Sequence, residues 1–335
     1  MSQVLQQLID GQSLSQEDAQ AFFQQMITGN VAPELLASVL TALKIKGETP
    51  SEIGGAAIAA RQSATQFPSV NFDVTDCVGT GGDGANTINI STTAAILAAA
   101  CGVKMAKHGN RSVSSMSGSA DLLEAFGANL MMSPEVAANC LAQTNFCFLF
   151  APAYHAGFKH AAPVRKAMGV RTLFNILGPL VNPAAPKTML LGVYTPELLK
   201  TMASALQITG VEKAWVVHGS GLDEIALHGE TQIVAIENGS LIEKTVSPED
   251  FGLARATLED IKGGTPQENA NIIKNILQGK GEEAHNNAVL MNAAAILYLH
   301  NKADSLEQCT QMASEVLASG KAFETLMQYV EVSNG

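Results

Sequence analysis

The sequence predicts an α/β fold: a large domain with a mainly parallel central sheet covered by helices, plus a small all-α domain. Three observations carry this. Residues 1 to about 66 hold four amphipathic segments at helical spacing. Beyond residue 67, short apolar runs alternate with helical stretches, the rhythm of parallel strands joined by crossover helices. Aromatic residues make up only 5% of the chain while alanine and glycine abound, which favours tightly packed helices on a sheet over a β-sandwich. A length of 335 residues suits one large domain beside a small one. The linker Phe-Pro-Ser-Val-Asn at 67–71 divides the chain into 1–66 and 67–335.

In order, Leu5, Leu8 and Ile9 mark the first helix, Phe22, Phe23, Met26 and Ile27 the second, and Leu36, Val39, Leu40 and Leu43 the third. Thr49-Pro50-Ser51-Glu52 starts the fourth with an N-cap, a proline at N1 and a capping-box glutamate. Such faces pack a helical subdomain, and one can also pair with a second subunit. Strands are expected at 74–78, 103–106, 146–150, 189–193, 214–217 and 232–236, the last near a turn at Asn238-Gly239. Helices are expected at 92–101 and about 119–126, from Ser133-Pro134-Glu135, across 159–177 as far as Asn182-Pro183, and from Thr195-Pro196-Glu197. Thr265-Pro266-Gln267-Glu268 opens a helix that Gly279 ends, and two or three more follow. Ligands of such sheets sit beyond the carboxyl ends of the strands. The candidate segments are therefore Gly79 onward, Lys107 onward, 151–155 and 219–224.

The net charge of −11 disfavours a general nucleic-acid binder. Yet between Lys104 and Lys187 eight basic side chains face only three acidic ones, a local positive field suited to a small, highly charged anion. Cys77, Cys101, Cys140, Cys147 and Cys309 show no C-x-x-C spacing and sit in apolar context, as reduced core cysteines of a cytoplasmic protein do. The N-terminus lacks the basic start and apolar stretch of a signal peptide. No apolar run approaches the ~20 residues of a membrane span.

The stretch Val-Gly-Thr-Gly-Gly-Asp-Gly-Ala-Asn-Thr-Ile-Asn-Ile-Ser-Thr, 78–92, follows the first strand and runs into an alanine-rich helix. Glycines at 79, 81, 82 and 84 let the backbone approach a ligand closely. The helix start adds free N–H groups and partial positive charge, and phosphate is the usual guest of such a cradle. Gly79-x-Gly81-x-x-Gly84 matches a dinucleotide fingerprint, but the acidic residue expected roughly 20 positions on is replaced by Lys104, Lys107 and His108. No Gly-Lys-Ser/Thr follows, which excludes a Walker loop. A second polar loop, Lys107-His108-Gly109-Asn110-Arg111-Ser112-Val113-Ser114-Ser115, follows the next strand. Lys107 can neutralise a phosphate as a point charge and Arg111 can grip one with its fork. Ser117, Gly118 and Ser119 add donors before the next helix. Asp223 and Glu224 are adjacent after a strand end.

GTGGDGANTINIST, KHGNRSVSS, SGSADLLEAFG, HAAPVRKAMGVRTLFNILGPLVNP at 160–183 and VVHGSGLDEI at 216–225 together resemble the anthranilate phosphoribosyltransferase family, within the nucleoside phosphorylase/phosphoribosyltransferase fold. The motifs run in order along nearly the whole chain. The resemblance implies a Mg²⁺-dependent, cytoplasmic homodimeric pentosyltransferase of tryptophan biosynthesis. It would move 5-phosphoribosyl from phosphoribosyl pyrophosphate (PRPP) to the amine of anthranilate and release pyrophosphate. It implies that 160–182 packs with 1–66, and that 67–335 is the phosphoribosyl-donor domain. PRPP would be held by Gly79, Gly82, Asp83, Thr87, Asn89, Ile90, Ser91, Thr92, Lys107, His108, Gly109, Asn110, Arg111, Ser112, Val113, Ser114, Ser115 and Ser119. Anthranilate would touch Gly79, Asn110, Arg165 and His155, and Ser91, Asp223 and Glu224 would serve the metal. The C1′–O bond would break early, with Lys107 and Arg111 stabilising the leaving group, and no general base stands out.

Two other readings compete. The fold also resembles pyrimidine nucleoside phosphorylase, which has a Lys-His dipeptide in its anion loop, but the Asn-Arg-Ser-Val-Ser-Ser continuation and the Gly-Leu-Asp-Glu stretch fit the transferase better. A non-enzymatic nucleic-acid-binding relative would need a broad basic surface, against the acidic balance of this chain.

Overall fold

The computed structural model describes residues 2–112 and 117–335. Four helices come first, Ser2–Ile9, Gln16–Ile27, Pro33–Lys46 and Pro50–Gln62. Ser15 caps the second by accepting the Asp18 N–H, and Pro33 and Pro50 stand at helix starts, where a missing N–H costs nothing. Glu52 does more than close its capping box. It is fully buried; its Oε1 accepts the Leu14 N–H at 2.9 Å, and its Oε2 accepts the Thr49 N–H at 2.8 Å and pairs with Lys46 at 2.9 Å. A buried carboxylate is tolerable only when paired and hydrogen-bonded. This one has both, and it ties the loops before the second and fourth helices to the end of the third.

Seven strands make one sheet: β1 Thr75–Gly79, β2 Met105–Gly109, β3 Phe146–Phe150, β4 Thr188–Gly192, β5 Lys213–Gly219, β6 Thr231–Glu237 and β7 Ser240–Val246. Their spatial order is β3-β2-β1-β4-β5-β6-β7. The first five are parallel, and the β6–β7 hairpin is antiparallel. From β1 the chain builds outward to β3, then returns to lay β4 on the other side of β1. That reversal opens a crevice between the carboxyl ends of β1 and β4, the usual ligand position in such sheets. The helix Ile90–Ala100 follows β1 and is buried at every position but Ser91, because alanine lets it lie close between the sheet and the helix Glu283–Leu299.

Side chains alternate across the sheet and feed two cores. Leu190 of β4 joins the cluster under the helix Ile90–Ala100 and the C-terminal helices, whereas Met189 and Leu191 face the other way. That second cluster contains the first four helices, the helix Leu198–Ile208, and Ala161, Val164, Leu173, Phe174, Ile176 and Leu177 of the middle segment. No helix among the described residues is long and apolar enough to cross a membrane.

Three expectations need correction. The stretch 159–177 is not one helix: it forms Ala162–Met168 and Phe174–Leu177, because Gly169 takes a left-handed φ of 62° and ends the first. Lys107, His108 and Gly109 belong to β2 itself, paired with Phe148, Leu149 and Phe150 of β3, and do not lie in a loop beyond it. β7 has no counterpart in the sequence reading. It is an edge strand exposed along most of its length, so no apolar run announces it; the left-handed pair Asn238 (φ 51°) and Gly239 (φ 78°) makes the tight turn into it.

Candidate functional site

The glycine loop leaves the end of β1 at the crevice. Thr80 donates its N–H to Gly192 O at 2.9 Å, and its Oγ1 accepts the Tyr194 N–H at 3.1 Å, so the loop is stitched to the end of β4. Gly81, Gly82 and Gly84 all hold left-handed φ values of 69°, 85° and 75°, which side chains resist. A Cβ on Gly79 would lie 2.2 Å from Asp223 Oδ2, and one on Gly192 would lie 1.6 Å from Asp223 O. Both strands end in glycine because the Asp223–Glu224 loop crosses directly over them. Further along, Asp83 Oδ1 accepts the Ala85 N–H, and Thr87 bridges to Lys262. Asn89 donates to Ser117 O at 3.0 Å while its Oδ1 accepts from the buried Asn269. Ile90 then starts the helix, and Thr92 is buried in it.

The two acids meet this loop from the other side. Asp223 Oδ2 accepts the Gly81 N–H at 2.6 Å, and Glu224 Oε1 accepts the Ser91 N–H at 3.1 Å in the first turn of the helix, where the partial positive charge favours it. Their loop is clamped by Asn292, which bonds both backbone polar groups of Ile225, and by Thr231, which accepts the Ala226 N–H. Burial, then Asp83, pushes the Asp223 carboxyl up to about 7. Burial, then Asp223, pushes Glu224 to about 8. Lys107 is the opposing charge. It is only 1% exposed and reaches in from β2 to donate to Cys77 O and, at 3.2 Å, to Ser91 Oγ. Three crowded carboxyls against one ammonium are a donor set short of positive charge. Among the described residues no three His, Cys, Asp or Glu side chains close around a common point. The chain thus offers a partial oxygen sphere of the kind a hard divalent cation completes with phosphate and water.

A second corner forms where β2 and β3 end. Asp76 of β1 is buried, accepts the His108 N–H at 3.3 Å, and takes a 2.8 Å bond from Asn182, whose amide also donates to Ala106 O. This fixes the backbone of His108, whose Nδ1 lies 3.2 Å from Gly178 O. The His108 and His155 rings meet edge to face at 5.2 Å; His155 stacks on Phe158, Phe158 meets Phe174, and Arg165 lies over Phe174 at 5.1 Å. Burial lowers His108 to about 3 and His155 to about 4, so both rings are neutral. His108, His155 and Arg165 are thus brought together although 57 positions separate the first from the last in the numbering.

The loop after β2 is organised by an acid that sequence reasoning did not single out. Asp121 Oδ2 accepts the N–H groups of Ser112 at 3.1 Å and Gly118 at 3.0 Å, and Asn110 Oδ1 accepts the Arg111 N–H. Gly109 is needed because a Cβ there would lie 2.7 Å from the Phe148 ring. The Arg111 guanidinium, expected to hold an anion, here bonds Asp121 at 2.9 Å and Glu124 at 2.7 and 2.9 Å on an exposed surface. Ser119 opens the helix Ser119–Ala125. Val113, Ser114 and Ser115 lie outside the described residues. Sequence reasoning also passed over Asp76, Asn182, Arg171 and Asn292. The available signal for the last was a lone asparagine in the apolar run of Glu283–Leu299.

Two family models match the chain, one described as the a/b domain of a glycosyl transferase family over residues 71–323 and one as its helical bundle domain over residues 2–64. The anthranilate phosphoribosyltransferase of Colwellia psychrerythraea is 71% identical over 333 residues, which cover 99% of this chain and 91% of that one. Among solved structures, the anthranilate phosphoribosyltransferase of Thermus thermophilus superposes with a TM-score of 0.94 at 42% identity, covering 99% of both chains. The Saccharomyces cerevisiae enzyme in complex with PRPP and Mg superposes at 0.90 with 30% identity, covering 99% of this chain and 97% of that one.

Proposed function

The chain belongs to the anthranilate phosphoribosyltransferase family, and from that premise we propose how its residues divide the reaction. The activity is transfer of 5-phosphoribosyl from PRPP to the amine of anthranilate, with release of pyrophosphate, a step of tryptophan biosynthesis. One observation carries the division of labour: the glycine loop and the Asp223–Glu224 carboxylates meet at the reversal between β1 and β4.

In this reading the backbone of 79–84 and the start of the helix Ile90–Ala100 hold the donor's diphosphate, with Thr87 and Asn89 to Thr92 around it. Asp223, Glu224 and Ser91 would hold Mg²⁺, which when bound would neutralise charge on that diphosphate. Lys107 acts from beneath, keeping the acids from dominating the local field and holding Ser91 Oγ in place. His108 and Gly109 at the end of β2, Asn110 to Ser112 beyond it and Ser119 hold the phosphoribosyl group, and Arg111 exchanges Asp121 and Glu124 for phosphate oxygens in doing so. Anthranilate sits in the corner of Gly79, Asn110, His155 and Arg165, its carboxylate on the Arg165 fork. His155 is neutral and stacks on Phe158, so it walls the acceptor corner, and holding the amine close to C1′ in this way supplies much of the rate.

Residues 1–66 with 160–182 form the helical domain in this reading and 67–335 the donor domain; the shared apolar cluster of the first four helices with Val164 and Phe174 supports it. A cytoplasmic homodimer through the helical domain is part of the same reading. Ile9 at 64%, Ile45 at 82% and Val170 at 60% exposure leave apolar surface on the elements that would meet.

The test is steady-state kinetics with PRPP and anthranilate, following pyrophosphate release and anthranilate loss. Arg165→Ala raises the anthranilate KM selectively. A change confined to PRPP contradicts the assignment, and phosphorolysis of thymidine or uridine in place of transfer would favour the phosphorylase reading.

A further inference from the structure

Arg171 lies in the break between Ala162–Met168 and Phe174–Leu177, the connector that Gly169 creates. Its neighbours Leu173 and Phe174 pack into the apolar cluster of the first four helices. Its guanidinium reaches the other way. Nη2 donates to Gly82 O at 2.5 Å, and Cζ lies 4.3 Å from the centre of the Tyr194 ring. Tyr194 is itself bonded to Thr80 at the root of the same loop. A Cβ on Gly82 would come within 2.8 Å of Nη2, so the closeness depends on glycine there.

The contrast with Arg111 is chemical. Arg111 spends its fork on two carboxylates. Arg171 is exposed, and among the described residues no carboxylate pairs with it. One carbonyl takes one of its five N–H donors. The charge and the remaining donors stay available beside a loop built for an anion. The bond to Gly82 O also polarises that peptide and strengthens the following Asp83 N–H as a donor.

We propose that Arg171 is a ligand of the leaving diphosphate, brought from the helical side to the outer face of the glycine loop. This rests on the reading that the donor sits at that loop.

The experiment is calorimetric titration of inorganic pyrophosphate with Mg²⁺ into the full-length protein and its variants, with a thermal melt of each. Arg171→Gln keeps a donor for Gly82 O but removes the charge. It should weaken pyrophosphate binding about ten- to a hundredfold, as loss of a charge-assisted bond does. Arg171→Lys should recover part of the loss, and the anthranilate KM should stay within about twofold, since uniform binding to the acceptor is untouched. Wild-type affinity in Arg171→Gln overturns the proposal and leaves a mere tether. Thr87→Ala, run in parallel, separates the two levels. If it weakens binding while Arg171→Gln does not, only this inference fails; if neither does, the donor reading fails with it.

Discussion

Asn292 grips both backbone polar groups of Ile225: its Oδ1 accepts the Ile225 N–H at 3.1 Å, and its Nδ2 donates to Ile225 O at 3.2 Å. Asn292 is fully buried in the helix Glu283–Leu299, and Ile225 directly follows the acidic pair. In Asn292→Leu a buried donor and a buried acceptor lose their partner, at about 1–3 kcal/mol each. The expected outcome is a stability loss of about 2–5 kcal/mol in urea denaturation, with a higher Mg²⁺ requirement and an unchanged anthranilate KM. Loss of stability with no change in Mg²⁺ requirement would remove Asn292 from the support of the site.

Gly192→Ala tests the same loop from below. The new Cβ would stand 1.6 Å from Asp223 O and 2.3 Å from Asp223 C, and no rotamer relieves a clash with backbone. The loop must shift, and a misplacement of about 1 Å at reacting groups costs on the order of a hundredfold in rate. Gly79→Ala meets the Asp223 carboxylate first, a side-chain end that can swing aside. Rate loss should therefore be larger in Gly192→Ala than in Gly79→Ala, both measured at saturating substrates. The reverse order would mean that the Asp223 backbone is free to move.

What the sequence disclosed depended on how local each signal was. The capping box at Thr49 and Glu52, the strand 146–150 and the glycine loop are written in neighbouring residues, and they stand where expected. Lys107 was legible as a cation but not as a buried one, because its partners Cys77 O and Ser91 Oγ belong to another strand and the helix behind it. Asp76 and Asn182 gave no local pattern, and Asn292 only that of a lone asparagine in an apolar run, since the bonds Asp76–His108, Asn182–Asp76 and Asn292–Ile225 span 32 to 106 positions and exist only once the sheet is assembled. The resemblance named candidate site residues that spacing could not, but not the groups that hold those residues in place.

With the proposed role of the acidic pair, donor binding should release protons. Asp223 is pushed up to about 7 and Glu224 to about 8, mainly by burial, so both hold protons near neutrality. A cation and diphosphate need the carboxylates ionised. At pH 7 about one proton or more should leave on binding of PRPP with Mg²⁺, falling towards zero by about pH 9, with affinity rising through that range. Calorimetry in buffers of differing ionisation enthalpy reads the number, and Glu224→Gln should lower it. Equal release by wild type and Glu224→Gln would exclude Glu224 as the source.

The buried histidines should govern acid stability. Burial lowers His108 from 6.5 to about 3 and His155 to about 4. The folded chain keeps both rings neutral while the unfolded chain protonates them below about 6.5. Their contribution is present above that pH and lost as pH falls towards 4, by up to about 1.4 kcal/mol per pH unit for each ring. Asp76, raised to about 6 by burial, acts oppositely, as do Asp223 and Glu224. Between the unfolded carboxylate range and their own values they hold protons the unfolded chain has shed, so their contribution falls as pH rises. The wild-type curve thus sums opposing contributions, and its slope alone decides nothing. The difference between wild type and His155→Asn isolates one ring. Denaturation at steps from pH 7 to 4 should find the variant less stable at pH 7 by a fixed amount, then gaining on the wild type as pH falls. A difference that stays constant across the range would mean that His155 takes up its proton in the folded state as readily as in the unfolded one.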